Sequence, residues 1–252
     1  MIYFRRNSLY NYTFRLSIYL LFILSSNPVN SQENKGLPDF QAIFEDDYNY
    51  ALNIIEQNEW WSDTLHSHGL EPAFALSVIF PELIRYSSIL DFIEVKSLEV
   101  LYVQYGADYA DFSIGYFQIK PSFAEKIEAD ILNYGLDRQY PSLLSLKPII
   151  PGTPENRRHR IIRLKEEYYQ ILYLEAFIRI MDYQYAEQVK RMPLPMKLQF
   201  YSTAYNTGYF KETEVIREEM NKKRFYCGIE PGKERYSYPE IAMHYYLERM
   251  TR

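Results

Sequence analysis

Residues 155–191 run without a glycine or proline and repeat apolar side chains at helical intervals: Ile161, Ile162, Leu164, Tyr168, Ile171, Leu172, Phe177, Ile178 and Met181. These positions cover more than one face, so the segment must be wrapped on several sides and reads as the spine of a core. A chain carrying it is committed to a mainly α fold. The same periodicity predicts a helix over residues 41–61, where Ile43, Phe44, Tyr48, Ala51, Leu52, Ile54 and Ile55 form a stripe. Pro72 opens another through about Ser87, and Pro121 a third to about Tyr134, with Gly135 as its stop. Beyond Pro193 and Pro195 a helix ends in Tyr205-Asn206-Thr207-Gly208, and two more follow at residues 211–222 and 238–250. Only residues 94–118 read as β, with Leu98, Val100, Tyr102 and Val103 ahead of Gly106 and an extended run after it. That interval predicts a small hairpin on a helical body, and residues 148–154 a loop.

The first residues are basic at Arg5, Arg6 and Arg15, then turn apolar from Leu16 to Leu24 before Ser25-Ser26-Asn27-Pro28. This is the pattern of a secretory signal peptide over residues 1–31, followed by a single domain over 32–252. The apolar run falls short of the roughly 20 residues a membrane-spanning helix needs. Export to a periplasm or cell envelope is therefore the expectation, with retention by an uncleaved segment as the alternative. Loss of those three arginines and no acid takes the formal charge from −5 to −8. An acidic chain of this kind is not built to hold nucleic acid. One cysteine, Cys227, excludes an internal disulfide and reads as a packed residue. The four histidines, His66, His68, His159 and His244, show no ligand spacing, so neither a metal nor a cofactor is expected, and His66-Ser67-His68 reads as a solvated loop. The 26 tyrosines and 15 phenylalanines suit either a sugar-lined cleft or dense core packing.

Three short elements carry chemistry. On the helix opened by Pro72, Glu82 shares a face with Ala75, Val78 and Ile79, so its carboxyl projects from an apolar wall. Such surroundings favour the neutral acid and raise its pKa, which a general acid near neutral pH requires; the competing reading is a surface pair with Arg85 one turn on. Next comes Phe112-Ser113-Ile114-Gly115-Tyr116-Phe117-Gln118-Ile119-Lys120-Pro121. Its glycine lets the backbone approach a ligand and Gln118 offers both donor and acceptor, although a strand-to-helix corner would use the same residues. Last is Tyr205-Asn206-Thr207-Gly208, where the phenol is suited to a carboxylate and the amide to an acetamido group, or both to ordinary capping.

In this order the three elements resemble the lytic transglycosylase and goose-type lysozyme family: a helical glutamate, then Gly-x-x-Gln-Ile-x-Pro, then Tyr-Asn-x-Gly. The resemblance covers about residues 72–208. It departs at Leu83, where a serine is usual, at Pro81, and in the long interval from Glu82 to Gly115. It implies a lysozyme-like α+β fold with the hairpin between the catalytic helix and the Gly115 motif. It also implies Glu82 as acid/base cleaving the bond between N-acetylmuramic acid and N-acetylglucosamine. Ser113, Gly115, Gln118, Tyr205 and Asn206 would be substrate-binding residues. Glu99 and Glu94 are the competing acids. A transglycosylase needs no second carboxylate; a hydrolase would, with Asp111 or Asp108 positioned for it. The implied partner is the glycan strand of peptidoglycan, bound by a monomer, with an envelope-assembly machine as a further partner by analogy. The rival is a non-catalytic glycan-binding or assembly protein on the same fold.

Overall fold

The computed structural model describes residues 36–89, 95–227 and 234–251. The signal-peptide reading and Glu94 lie outside the described residues. The protein is mainly α-helical, and from Asp39 onward the chain forms one compact unit.

Helix α1 (Phe40–Gln57) starts where the Asp39 carboxylate accepts from Ala42 N at 3.0 Å, satisfying an otherwise orphaned donor. Phe40, Phe44, Tyr48, Ala51, Ile54 and Ile55 point inward, and Glu45 kinks the helix with φ 43°. The stretch expected to be one helix to Trp61 is two, because Asn58 leaves helical geometry and turns its amide back to Ile54 O at 2.9 Å. Helix α2 (Glu59–Ser67) follows. Helix α3 (Pro72–Ile89) is capped by Glu71, whose carboxylate accepts from Ala73 N and Phe74 N.

Almost all of α3 between Phe74 and Ile84 is buried, since α1, α10 (Leu194–Thr207) and α12 (Tyr238–Thr251) pack around it. The expected spine is in fact broken at Glu166, whose backbone is extended, into α7 (Pro154–Lys165) and α8 (Glu167–Gln184). No proline or glycine marks that break. The apolar burial simply changes: α7 buries Arg160 and Arg163 beside Ile161 and Leu164, whereas α8 is buried nearly all round. A short α9 (Ala186–Val189) leads to α10.

Among the described residues, the hairpin expected over 94–118 does not form. Val95–Tyr105 is a helix, α4, packed on α7 with Tyr102 fully buried. Its β-branched residues signalled a strand, but tertiary packing overrides so weak a preference. Arg157 of α7 donates to Val103 O and Gln104 O at 2.9 Å each, satisfying last-turn carbonyls that would otherwise lack partners. Between α4 and α5 (Pro121–Asn133), β structure shrinks to a single bridge, Ile114 to Ile119, around the Gly115 turn. Then come α6 (Leu136–Gln139) and a 3-10 turn (Pro141–Leu146). The two-stranded antiparallel sheet lies instead near the end of the chain, after α11 (Thr213–Glu219), where β1 (Lys223–Phe225) pairs with β2 (Tyr236–Ser237). Among the described residues no helix is long and apolar enough to cross a membrane.

Candidate functional site

Three elements far apart in sequence meet at a cleft of about 300 Å³. Helix α3 brings Glu82 and Arg85; the turn after α4 brings Ser113 and Gln118; the end of α10 brings Tyr205 and Asn206. Phe123 and Phe210 supply rings. Among the described residues, most of the other aromatic side chains serve the core, with Tyr48, Tyr173, Tyr201, Tyr209 and Tyr245 all but sealed from solvent.

Glu82 is 4% exposed. Burial raises its pKa, and the effect outweighs the opposing pull of Arg85, a hydrogen bond with Tyr238 and the charge of Lys120. Arg85 Nη1 nevertheless donates to both carboxylate oxygens, at 2.9 and 2.8 Å, while its guanidinium lies 4.9 Å from the Phe225 ring centroid. The i to i+3 pair foreseen as a surface feature therefore exists, but it sits at the wall of the cleft. The group this geometry offers is a carboxyl that burial inclines to hold a proton, beside a cation able to receive its anion.

Tyr238, at the start of α12, is a site residue that sequence reasoning missed. Its buried hydroxyl donates to Val78 O at 3.2 Å and lies within hydrogen-bonding reach of Glu82, so one phenolic proton has two acceptors. Nothing local in Tyr238-Pro239-Glu240 signals this; only the packing of α12 on α3 does. Tyr205 does not bond the carboxyl. Its hydroxyl donates to Phe117 O at 2.9 Å and so holds the Gly115 turn, while burial and the nearby Glu82 charge push its pKa well up.

Gly115 does not line the cleft. With φ 71° it occupies the left-handed region, and a Cβ there would stand 2.1 Å from Gln170 Nε2. The close approach expected toward a ligand is made instead to this side chain of α8, whose Oε1 accepts from Phe117 N at 2.9 Å. Gln170 is the second missed residue; a glutamine inside the spine segment was the available signal. Gln118 also has positive φ, 50°, and its Nε2 donates to Gly115 O at 2.8 Å.

The competing acids fall elsewhere. Glu99 on α4 pairs with Lys165 at 2.6 Å and does not line the cleft. Asp111 does line it, but its oxygens accept from Ser122 N at 3.0 Å and Ser122 Oγ at 2.7 Å, at the start of α5. Asp108 lines a different cavity. His68 is not in a solvated loop: its Nδ1 lies 2.7 Å from the buried Glu175 carboxylate, while His66 is exposed in the last turn of α2. Cys227 Sγ donates to Asp47 Oδ2 at 3.0 Å. Among the described residues no group of three or more His, Cys, Asp or Glu side chains could hold a metal ion. Comparison with protein-family models, curated proteins and solved structures finds no match to this chain.

Proposed function

We propose that this chain is a lysozyme-like lytic transglycosylase that cleaves the β-1,4 bond between N-acetylmuramic acid and N-acetylglucosamine in peptidoglycan, with Glu82 as acid and then base. One observation carries the reading: a buried carboxyl, backed by Arg85, opens onto a cleft that also holds Ser113, Gln118, Tyr205 and Asn206. Such a group is poised to be a general acid, and the surrounding amides and hydroxyls suit a polymer dense in hydroxyl and acetamido groups.

In the proposed reaction Glu82 gives its proton to the glycosidic oxygen as the bond from that oxygen to C1 breaks. Arg85 and Tyr238 receive the new carboxylate. It then takes the proton of the sugar's own 6-hydroxyl as that oxygen closes on C1, leaving a 1,6-anhydro end and regenerating the neutral acid. No water enters and no second carboxylate is needed. The same reading places the protein in the periplasm or cell envelope as a monomer, in contact with glycan strands and, by analogy, with an envelope-assembly machine.

A second reading follows from the pairing itself. With Arg85 on both Glu82 oxygens, the same cleft is suited to a non-catalytic glycan-binding protein. Zymography on purified peptidoglycan separates the two. Under the catalytic reading the wild type clears the gel and Glu82→Gln loses about 100-fold or more of the activity. Clearing by both proteins removes Glu82 from the mechanism, and clearing by neither favours the binding reading. Mass spectrometry of the released fragments then tells anhydro ends from reducing ends.

A further inference from the structure

A second cavity, of about 470 Å³, lies along α5 from the Glu82 cleft. Ser122 and Phe123 face the cleft, and Glu125, Glu128 and Ala129, further along the same helix, face the second cavity. The preceding segment is shared too, with Asp111 lining one and Asp108 the other.

The polar groups of this cavity divide into spent and available. Arg160 is spent, donating to Glu128, Glu125 and Tyr102. Arg157 is spent on the carbonyls of Val103, Gln104 and Gly152. Glu128 is spent, with both oxygens on Arg160 and one shared with Arg163 and Tyr173. What is left is acidic. Asp108 is an exposed carboxylate, and Glu125 has Oε1 engaged by Tyr102 and Arg160 but Oε2 without a partner among the described residues.

One buried donor is also left. Asn156 is 1% exposed and lines the cavity; its Oδ1 accepts from Ile149 N at 3.0 Å, which fixes the amide's orientation, and its Nδ2 has no partner. A buried amide donor is costly to leave unpaired, and among the described residues Asn156 Nδ2 is the one such group on this wall. Leu132, Pro148 and Pro151 supply apolar wall.

We propose that this cavity binds a peptide carrying an aliphatic amine: the ammonium group meets Asp108 and Glu125, its methylene stem lies on Leu132, Pro148 and Pro151, and a backbone carbonyl accepts from Asn156 Nδ2. A metal ion is the poorer fit, since no cluster of three ligating side chains exists among the described residues. Peptidoglycan strands bear peptide stems, many with an amine-bearing residue, so the cavity beside the Glu82 cleft would read the stem of the strand being cut. It rests on the peptidoglycan reading only for the identity of the polymer.

The test uses the full chain as Glu82→Gln, so that binding is read without turnover. The probes are N-acetyl-Ala-Lys-amide, whose one charge is the side-chain amine, its Nε-acetyl counterpart, and pentylamine, which lacks the carbonyl. Amide chemical shifts at Gly106, Ala129 and Gly152 report the site. The lysyl peptide is expected to produce saturable shifts there, and both other probes to bind about tenfold more weakly or worse. Asp108→Asn and Glu125→Gln should each weaken the lysyl peptide about threefold. Asp108 is exposed, so its variant tests the charge without disturbing the fold. Equal binding of the Nε-acetylated peptide, shifts centred on the Glu82 cleft, or no shift at millimolar peptide would each overturn the proposal. Peptide binding by Glu82→Gln together with a wild type that fails to clear a zymogram would sink the cleavage reading alone.

Discussion

Replacing Gly115 with alanine tests how the site is held. The new Cβ would sit 2.1 Å from Gln170 Nε2 and 2.6 Å from its Cδ, at a backbone φ of 71°. A non-glycine residue in the left-handed region costs about 1–2 kcal/mol. The clash adds more, because Gln170 is 1% exposed and packed within α8, so its amide must leave the position from which Oε1 accepts from Phe117 N. Stranding that buried N–H costs a further 1–3 kcal/mol or so, giving a total of about 2–5 kcal/mol. Urea denaturation of Gly115→Ala against wild type measures it. A double-mutant cycle with Gln170→Ala isolates the cause: once the amide is gone, Gly115→Ala should cost only its backbone share of about 1–2 kcal/mol. A loss below about 1 kcal/mol in the wild-type background, or additivity within about 0.5 kcal/mol, would show that the glycine is not there for Gln170.

Removing the cation beside Glu82 should move its titration. Arg85 lowers the Glu82 pKa, so Arg85→Gln should raise it further above the ordinary value of 4.5. A raised acid makes stability fall as pH climbs from the unfolded carboxyl value to the folded one and level off above it, so the falling window widens in the variant. Melting temperature against pH, with Glu82→Gln as the flat reference, reads this, and the alkaline limb of any cleavage activity should shift to higher pH. Asp111→Ala removes the two bonds to Ser122 at the start of α5 and should cost about 0.5–2 kcal/mol in chemical denaturation. Its zymogram should still clear, whereas loss of clearing with the fold intact would mark Asp111 as the water-positioning acid of a hydrolase. Glu128→Ala leaves Arg163 buried without a carboxylate and Arg160 with Glu125 alone, and should cost about 3–5 kcal/mol by the same denaturation; a loss under about 1 kcal/mol would mean the arginines reach solvent.

The helical body was legible because amphipathic periodicity is a local signal, and the boundaries at Pro72 and Pro121 are written in residues favoured at a helix start, where the first N–H groups are spare. The interval after α3 was not. Val100, Tyr102 and Val103 carry strand preference, and what makes them helical is α7, with Arg157 holding the last carbonyls of α4 from more than fifty positions away. The break at Glu166 was hidden for a related reason, since it reflects a change in which neighbours each half packs against.

The site divides along the same line. Glu82, Ser113, Gln118, Tyr205 and Asn206 could be named from short motifs and do line one cleft, but the chemistry of that cleft depends on partners those motifs do not contain. Tyr238 comes from the last helix, and Gln170 from the spine. Gly115 shows why this matters for function. Its left-handed backbone is a local requirement, readable as a glycine, yet its purpose is set by Gln170, which anchors Phe117 N while Tyr205 anchors Phe117 O. Clamped at both its donor and its acceptor, that peptide segment fixes where Gln118 stands relative to Glu82. A substitution at Gln170, outside the cleft, should therefore disturb the cleft as surely as one within it.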